Sequence, residues 1–113
     1  MLPSNNRLTT AEGFRHVVRR GRRAGGPLMV VHLVEPNVDK AISSPTQVGF
    51  VVAKSVGPAV TRNRVKRRLR HLVRERIDSL PVGSMLVVRA LPPSADADSR
   101  ALSVELDRCL GRA

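Results

Sequence analysis

The chain has 113 residues, enough for one compact domain whose core needs neither metal nor disulfide to hold it. Twenty Lys and Arg against nine Asp and Glu give a formal charge of +11, while 42% of residues are hydrophobic. Together these exclude global disorder and call for an anionic partner, because self-repulsion of that size disfavours the compact state. A lone cysteine, Cys109, excludes an intrachain disulfide. The longest apolar run, residues 28–34, is interrupted by His32 and is far shorter than a membrane span, and the N-terminus has no signal-peptide core. A cytoplasmic protein without membrane contact is expected.

In chain order, residues 9–20 read as the first helix. Thr9 and Glu12 have capping-box spacing, Ala11, Phe14, Val17 and Val18 share a face, and Gly21 is a natural stop. Residues 22–27, with Gly25 and Gly26, read as a basic turn. Residues 28–35 form a strand by their β-branched content, and residues 36–46, polar with two prolines, form a loop. Residues 48–54 alternate as a second strand, antiparallel to the first. Gly57 and Pro58 open a long helix running to about Ser79, with Pro58 at its first position and residues 81–83 closing it. Residues 85–91 form another strand. After Pro92 and Pro93, Asp96 or Asp98 starts a last helix through Leu102, Leu106, Cys109 and Leu110 to Gly111.

The expected fold is an α/β (α+β) sandwich: a small mixed sheet of three or four strands with three helices, in the order α-β-β-(β)-α-β-α. Strand, long helix, strand implies a crossover between parallel strands. Residues 1–113 make a single domain, with short flexible ends at about 1–6 and 112–113.

The long helix carries the charge. Val65, Leu69, Leu72, Val73 and Ile77 form an apolar stripe about 140° wide. Asn63, Arg67, Arg70 and Arg74 line the opposite side, and Arg64, Arg68 and His71 form a third row. Arg62 and Lys66 sit at the stripe's margin near the helix start, where positive charge opposes the macrodipole. A phosphate there would reverse that penalty. Arg-rich helices are often merely solvated, but Glu75 and Asp78 are the only acids nearby. A rigid guanidinium array of this kind suits nucleic acid. Asn63, between two arginines, can both donate and accept toward a base edge or a 2′-hydroxyl; it can equally cap the helix.

No catalytic constellation is present. His16, His32 and His71 lack metal-ligand spacing, one cysteine makes no zinc cluster, and the acids are scattered without a two-metal pattern. The residues alone describe a binder. An autonomous nuclease would need an acid–base pair that the histidines do not supply.

The string Arg62-Asn63-Arg64-Val65-Lys66-Arg67-Arg68-Leu69-Arg70, preceded by Lys54-Ser55-Val56-Gly57 and by Ala59-Val60, resembles the signature of the bacterial ribonuclease P protein subunit. Asn6-Arg7-Leu8 followed by Phe14, Val17 and Gly21 is similar to the family's opening helix. The resemblance implies an RNA-binding subunit of a ribonucleoprotein endonuclease. Its RNA partner, with Mg2+, cuts precursor transfer RNA to form the mature 5′ end, and the protein binds both that RNA and the 5′ leader. Carried over by position, Arg62, Asn63, Arg64, Lys66, Arg67 and Arg70, with Arg68 and Arg74 beside them, would face RNA. A leader cleft between the first helix and the sheet would have Phe14 on its wall, Val18, His32 and Arg15 nearby and Lys54 along the same surface. Val18 and His32 stand where some relatives carry aromatics, which shifts leader binding from stacking toward charge; Phe14 also has an ordinary core-packing reading. The resemblance implies a left-handed crossover, whereas chain chirality alone favours a right-handed one. The partners are the ribonuclease P RNA and precursor transfer RNA, with neither DNA nor membrane. The alternative from charge and size is a ribosome-associated or RNA-chaperone protein.

Overall fold

The computed structural model describes residues 6–36 and 45–113. The first five residues, and most of the expected loop (37–44), lie outside the described residues.

Helix α1 (Ala11–Arg20) starts at Thr10, whose extended backbone lets its hydroxyl accept the Gly13 N–H at 3.0 Å. The cap is therefore Thr10 and not Thr9: the capping side chain must directly precede the first helical residue. Gly21 ends the helix, its N–H donating to the Val17 carbonyl at 2.8 Å.

The segment read as a basic turn is mostly strand. β1 (Arg22–Gly25) pairs antiparallel with β2 (Met29–Val34), Arg23 opposite His32 and Ala24 opposite Val31. Charge hides it, because on this edge strand only Ala24 points into the core. Glu105 braces the intervening turn: its Oε2 accepts the N–H groups of Leu28 at 2.5 Å and Met29 at 3.0 Å. A Cβ on Gly26 would fall 2.6 Å from Oε1 of that carboxylate, so a larger residue there would push the brace aside.

The four-stranded sheet has the order β1-β2-β4-β3, with β3 (Gln47–Val52) parallel and β2 antiparallel to β4 (Met85–Ala90). The crossover thus joins parallel neighbours, as expected. The expected pairing of the two earlier long strands is corrected, since β4 inserts between β2 and β3. Its unbroken Leu86-Val87-Val88 run is buried throughout, which suits a central strand covered on both faces.

Helix α2 (Ala59–Arg74) lays Val65, Leu69, Leu72 and Val73 on one sheet face, joined by Leu102, Leu106 and Cys109 of α3 (Ser99–Arg112). Pro58 is the N-cap rather than the first helical residue. The helix stops at Arg74, short of the expected Ser79. At Arg76 the backbone N–H turns to the Val73 carbonyl at 2.9 Å, while the Leu72 carbonyl takes the Arg76 Nη1 at 2.7 Å. A tighter 3-10 turn, Ile77–Ser79, follows. Of the two candidate starts for α3, Asp98 is the cap, accepting the Ala101 N–H at 2.8 Å. The other sheet face carries Val87 against Leu8 and Val17, with Phe14, Val34, Val51 and Met85 around them. The layers are α1, sheet, then α2 with α3, in the order α-β-β-β-α-β-α, and the additional strand is β1.

Candidate nucleic-acid interface

Once the apolar stripe of α2 is buried, its period fixes what remains outside. Asn63, Arg67, Arg70 and Arg74 are all exposed, as the pattern requires, and none makes an ion pair among the described residues. Asn63, Arg67 and Arg70, with Val60, Arg64, Lys66 and His71, border an open depression of about 760 Å³ along the helix. Its acidic content is small: Glu75 bonds His71 Nε2 at 3.1 Å and lies 3.7 Å from Arg76.

Other cations of the same run are held inward. Arg64 Nη2 donates to the Ala95 carbonyl at 3.1 Å and Arg68 Nη1 to the Ala97 carbonyl at 2.8 Å, so both half-buried side chains tie α2 to the turn between β4 and α3. Arg76 bridges to α3 through Asp107 at 2.5 Å and Ser103 at 2.6 Å. That hydrogen bond holds the Asp107 carboxyl below its ordinary range. Arg62 Nε donates to the Gly57 carbonyl at 3.1 Å, folding back over the helix start. The basic stretch thus divides: one set welds the scaffold and the other faces solvent.

A second concavity, of about 260 Å³, opens at the β3 edge of the sheet. Phe14 of α1, Gly49 and Phe50 of β3, and Lys66 and Arg70 of α2 border it. The ring of Phe14 reaches this place because Gly49 has no side chain. Helix α2's cations and the expected leader-cleft aromatic therefore meet in one groove.

The remaining expected cleft residues are spread more widely. Val18 is 49% exposed on α1. Arg15 stands on the outer face of α1, and Lys54 is exposed in the 3-10 turn after β3. His32 lies on the α1 side of β2, buried, with its Nδ1 lacking a partner among the described residues. Burial lowers its pKa first, and the cations Arg23 and Arg89 add to the effect. Those two arginines were not picked out from sequence. Arg89 had a signal: it is the one charged residue within the apolar run of β4. Arg23 had none, because its strand read as a turn.

Among the described residues no three His, Cys, Asp or Glu side chains converge as a metal site, and no helix is long and apolar enough to cross a membrane. The three histidines are separated: His16 on α1, His32 in the sheet, His71 bonded to Glu75. The arrangement presents cations, an amide and one aromatic wall to a polyanion, which defines a basic α/β RNA-binding protein.

The ribonuclease P family model matches residues 2–113. The protein component of ribonuclease P from Streptomyces avermitilis is 55% identical over 116 residues, covering 99% of this chain and 94% of that one. That of Mycobacterium avium is 46% identical, with the same coverage. Among solved structures, the Staphylococcus aureus RNase P protein superposes with a TM-score of 0.79 at 23% identity, over 94% of this chain and 93% of that one. The Thermotoga maritima protein gives 0.78 at 22%, over 94% and 98%. The chain belongs to the ribonuclease P protein family, and its work is that of the protein component in 5′ processing of precursor transfer RNA. That membership favours the ribonuclease P reading over the ribosome-associated and RNA-chaperone alternative.

Proposed function

We propose that the chain docks on the ribonuclease P RNA through the exposed row Asn63, Arg67, Arg70 and Arg74, with Arg62 and Lys66 at its edge. The precursor leader enters the groove walled by Phe14. The observation that carries this reading is the division of the basic run, in which the outward cations make no ion pair among the described residues while Arg64, Arg68 and Arg76 are bonded back to the scaffold. A fixed row of guanidiniums loses little entropy on meeting phosphates, and Asn63 adds a group that can accept as well as donate.

The chain's role is to neutralise repulsion between two RNAs and to orient the leader. Magnesium belongs to the RNA partner. The described residues do not suit it, since scattered carboxylates and a strongly positive surface give a hard cation no cluster of oxygens. Lys66 and Arg70 stand where α2 meets the groove, so the two RNAs approach each other there.

The test is a titration of a bacterial ribonuclease P RNA with this protein from about 50 to 200 mM salt. Six phosphate contacts would weaken affinity by about a thousandfold across that range. A nearly flat salt response would overturn the reading.

A further inference from the structure

We infer that the outer face of α1 is a second phosphate-binding surface, taking the part of the 5′ leader upstream of the nucleotides held in the groove. This rests on the proposed leader groove and extends it. Arg15, His16, Arg19 and Arg20 all stand exposed and, with Glu12, surround a shallow hollow of about 340 Å³. None of the four makes an ion pair among the described residues.

Helix energetics explain only part of this. Arg19 and Arg20 in the last turn complement the macrodipole, and Glu12 in the first turn does likewise. Arg15 and His16 in mid-helix gain nothing from it.

Two features connect the face to the groove. Arg15 directly follows Phe14 of the groove wall, so the basic face begins at the groove's rim. Val17, fully buried against the sheet, fixes the helix and with it the spacing of those cations. Ten helical residues extend about 15 Å, enough for about two to four backbone phosphates. The occupant is an RNA strand continuous with the one in the groove. Contacts here are to its backbone and carry no sequence preference.

The test uses holoenzyme reconstituted with a bacterial ribonuclease P RNA, and precursor transfer RNAs with leaders of about 4 and about 12 nucleotides. The native protein should bind the long-leader substrate more tightly. The Arg19→Gln/Arg20→Gln double variant should erase that advantage and flatten the long-leader salt dependence by about 1.4 in slope for two lost contacts. Short-leader affinity should not change, and the thermal midpoint should fall only slightly, as the helix end loses two cations that complement its dipole. Glu12→Gln, which removes the one negative charge of the face, should enlarge the advantage. Equal weakening for both leaders, or no effect of either variant on length dependence, would overturn the inference while sparing the proposed function. If the native protein assists neither substrate, both fall.

Discussion

Phe14 occupies the space a side chain at position 49 would fill: a Cβ on Gly49 would lie 2.6 Å from the ring's Cε1. The aromatic wall of the groove therefore depends on a glycine in the neighbouring strand. Gly49→Ala should push the ring away at a cost of about 1–3 kcal/mol, the usual range for overpacking. It should also reduce discrimination between leader-bearing precursor and mature transfer RNA. Melting curves and competition binding check the two effects; full discrimination alongside lower stability would restrict Phe14 to packing.

Arg64 and Arg67 are three positions apart on α2 and should behave oppositely. Arg67→Ala should leave stability almost unchanged and reduce the salt slope for RNA binding by about 0.7–0.9, the share of one phosphate. Arg64→Ala removes the donor to the Ala95 carbonyl and should cost about 0.5–1.5 kcal/mol, with little direct change in slope. Denaturation and salt titration of both variants separate the roles; equal slopes lost by both would place Arg64 on the RNA as well.

Much of this division could be read from spacing. The 3.6-residue period located the buried stripe of α2 and the exposed row opposite it, because burial of one helix face dictates the other. Period does not reveal which long side chains fold back. Arg64 and Arg68 bond to carbonyls about 30 positions later, and only tertiary structure brings Ala95 and Ala97 within reach. β1 was illegible for a related reason. A four-residue edge strand with one inward residue has almost no alternation, and the Glu105 carboxylate that braces its hairpin comes from the far end of the chain. The neighbour of β2 was mistaken because sequence proximity favours β3, whereas the fully apolar β4 claims the centre.

Glu105 should prove important for stability despite its distance from the exposed α2 row. Glu105→Ala leaves the buried Met29 N–H and its neighbour without an acceptor, at a cost of about 1–3 kcal/mol. Glu105→Gln, which keeps one oxygen, should cost less. Equal melting points for all three proteins would refute the bracing role.

His32 predicts an acid sensitivity. Its folded-state pKa lies below the ordinary value of 6.5, so the unfolded chain binds its proton more readily. The stability this contributes is complete above 6.5 and declines as pH falls through and below that value. Asp107, also lowered, loses its contribution only below about 4, which keeps the windows apart. His32→Gln should flatten the stability profile between about pH 5 and 7. An unchanged profile would mean the histidine titrates normally.

The most direct measurement is 5′ processing of precursor transfer RNA by a bacterial ribonuclease P RNA at low magnesium, with native protein or with Arg67, Arg70 and Arg74 changed together to Gln. The account predicts strong stimulation by the native chain, little by the folded triple variant, and no cleavage by either without the RNA. Equal stimulation by both proteins, or cleavage by the chain alone, would contradict it.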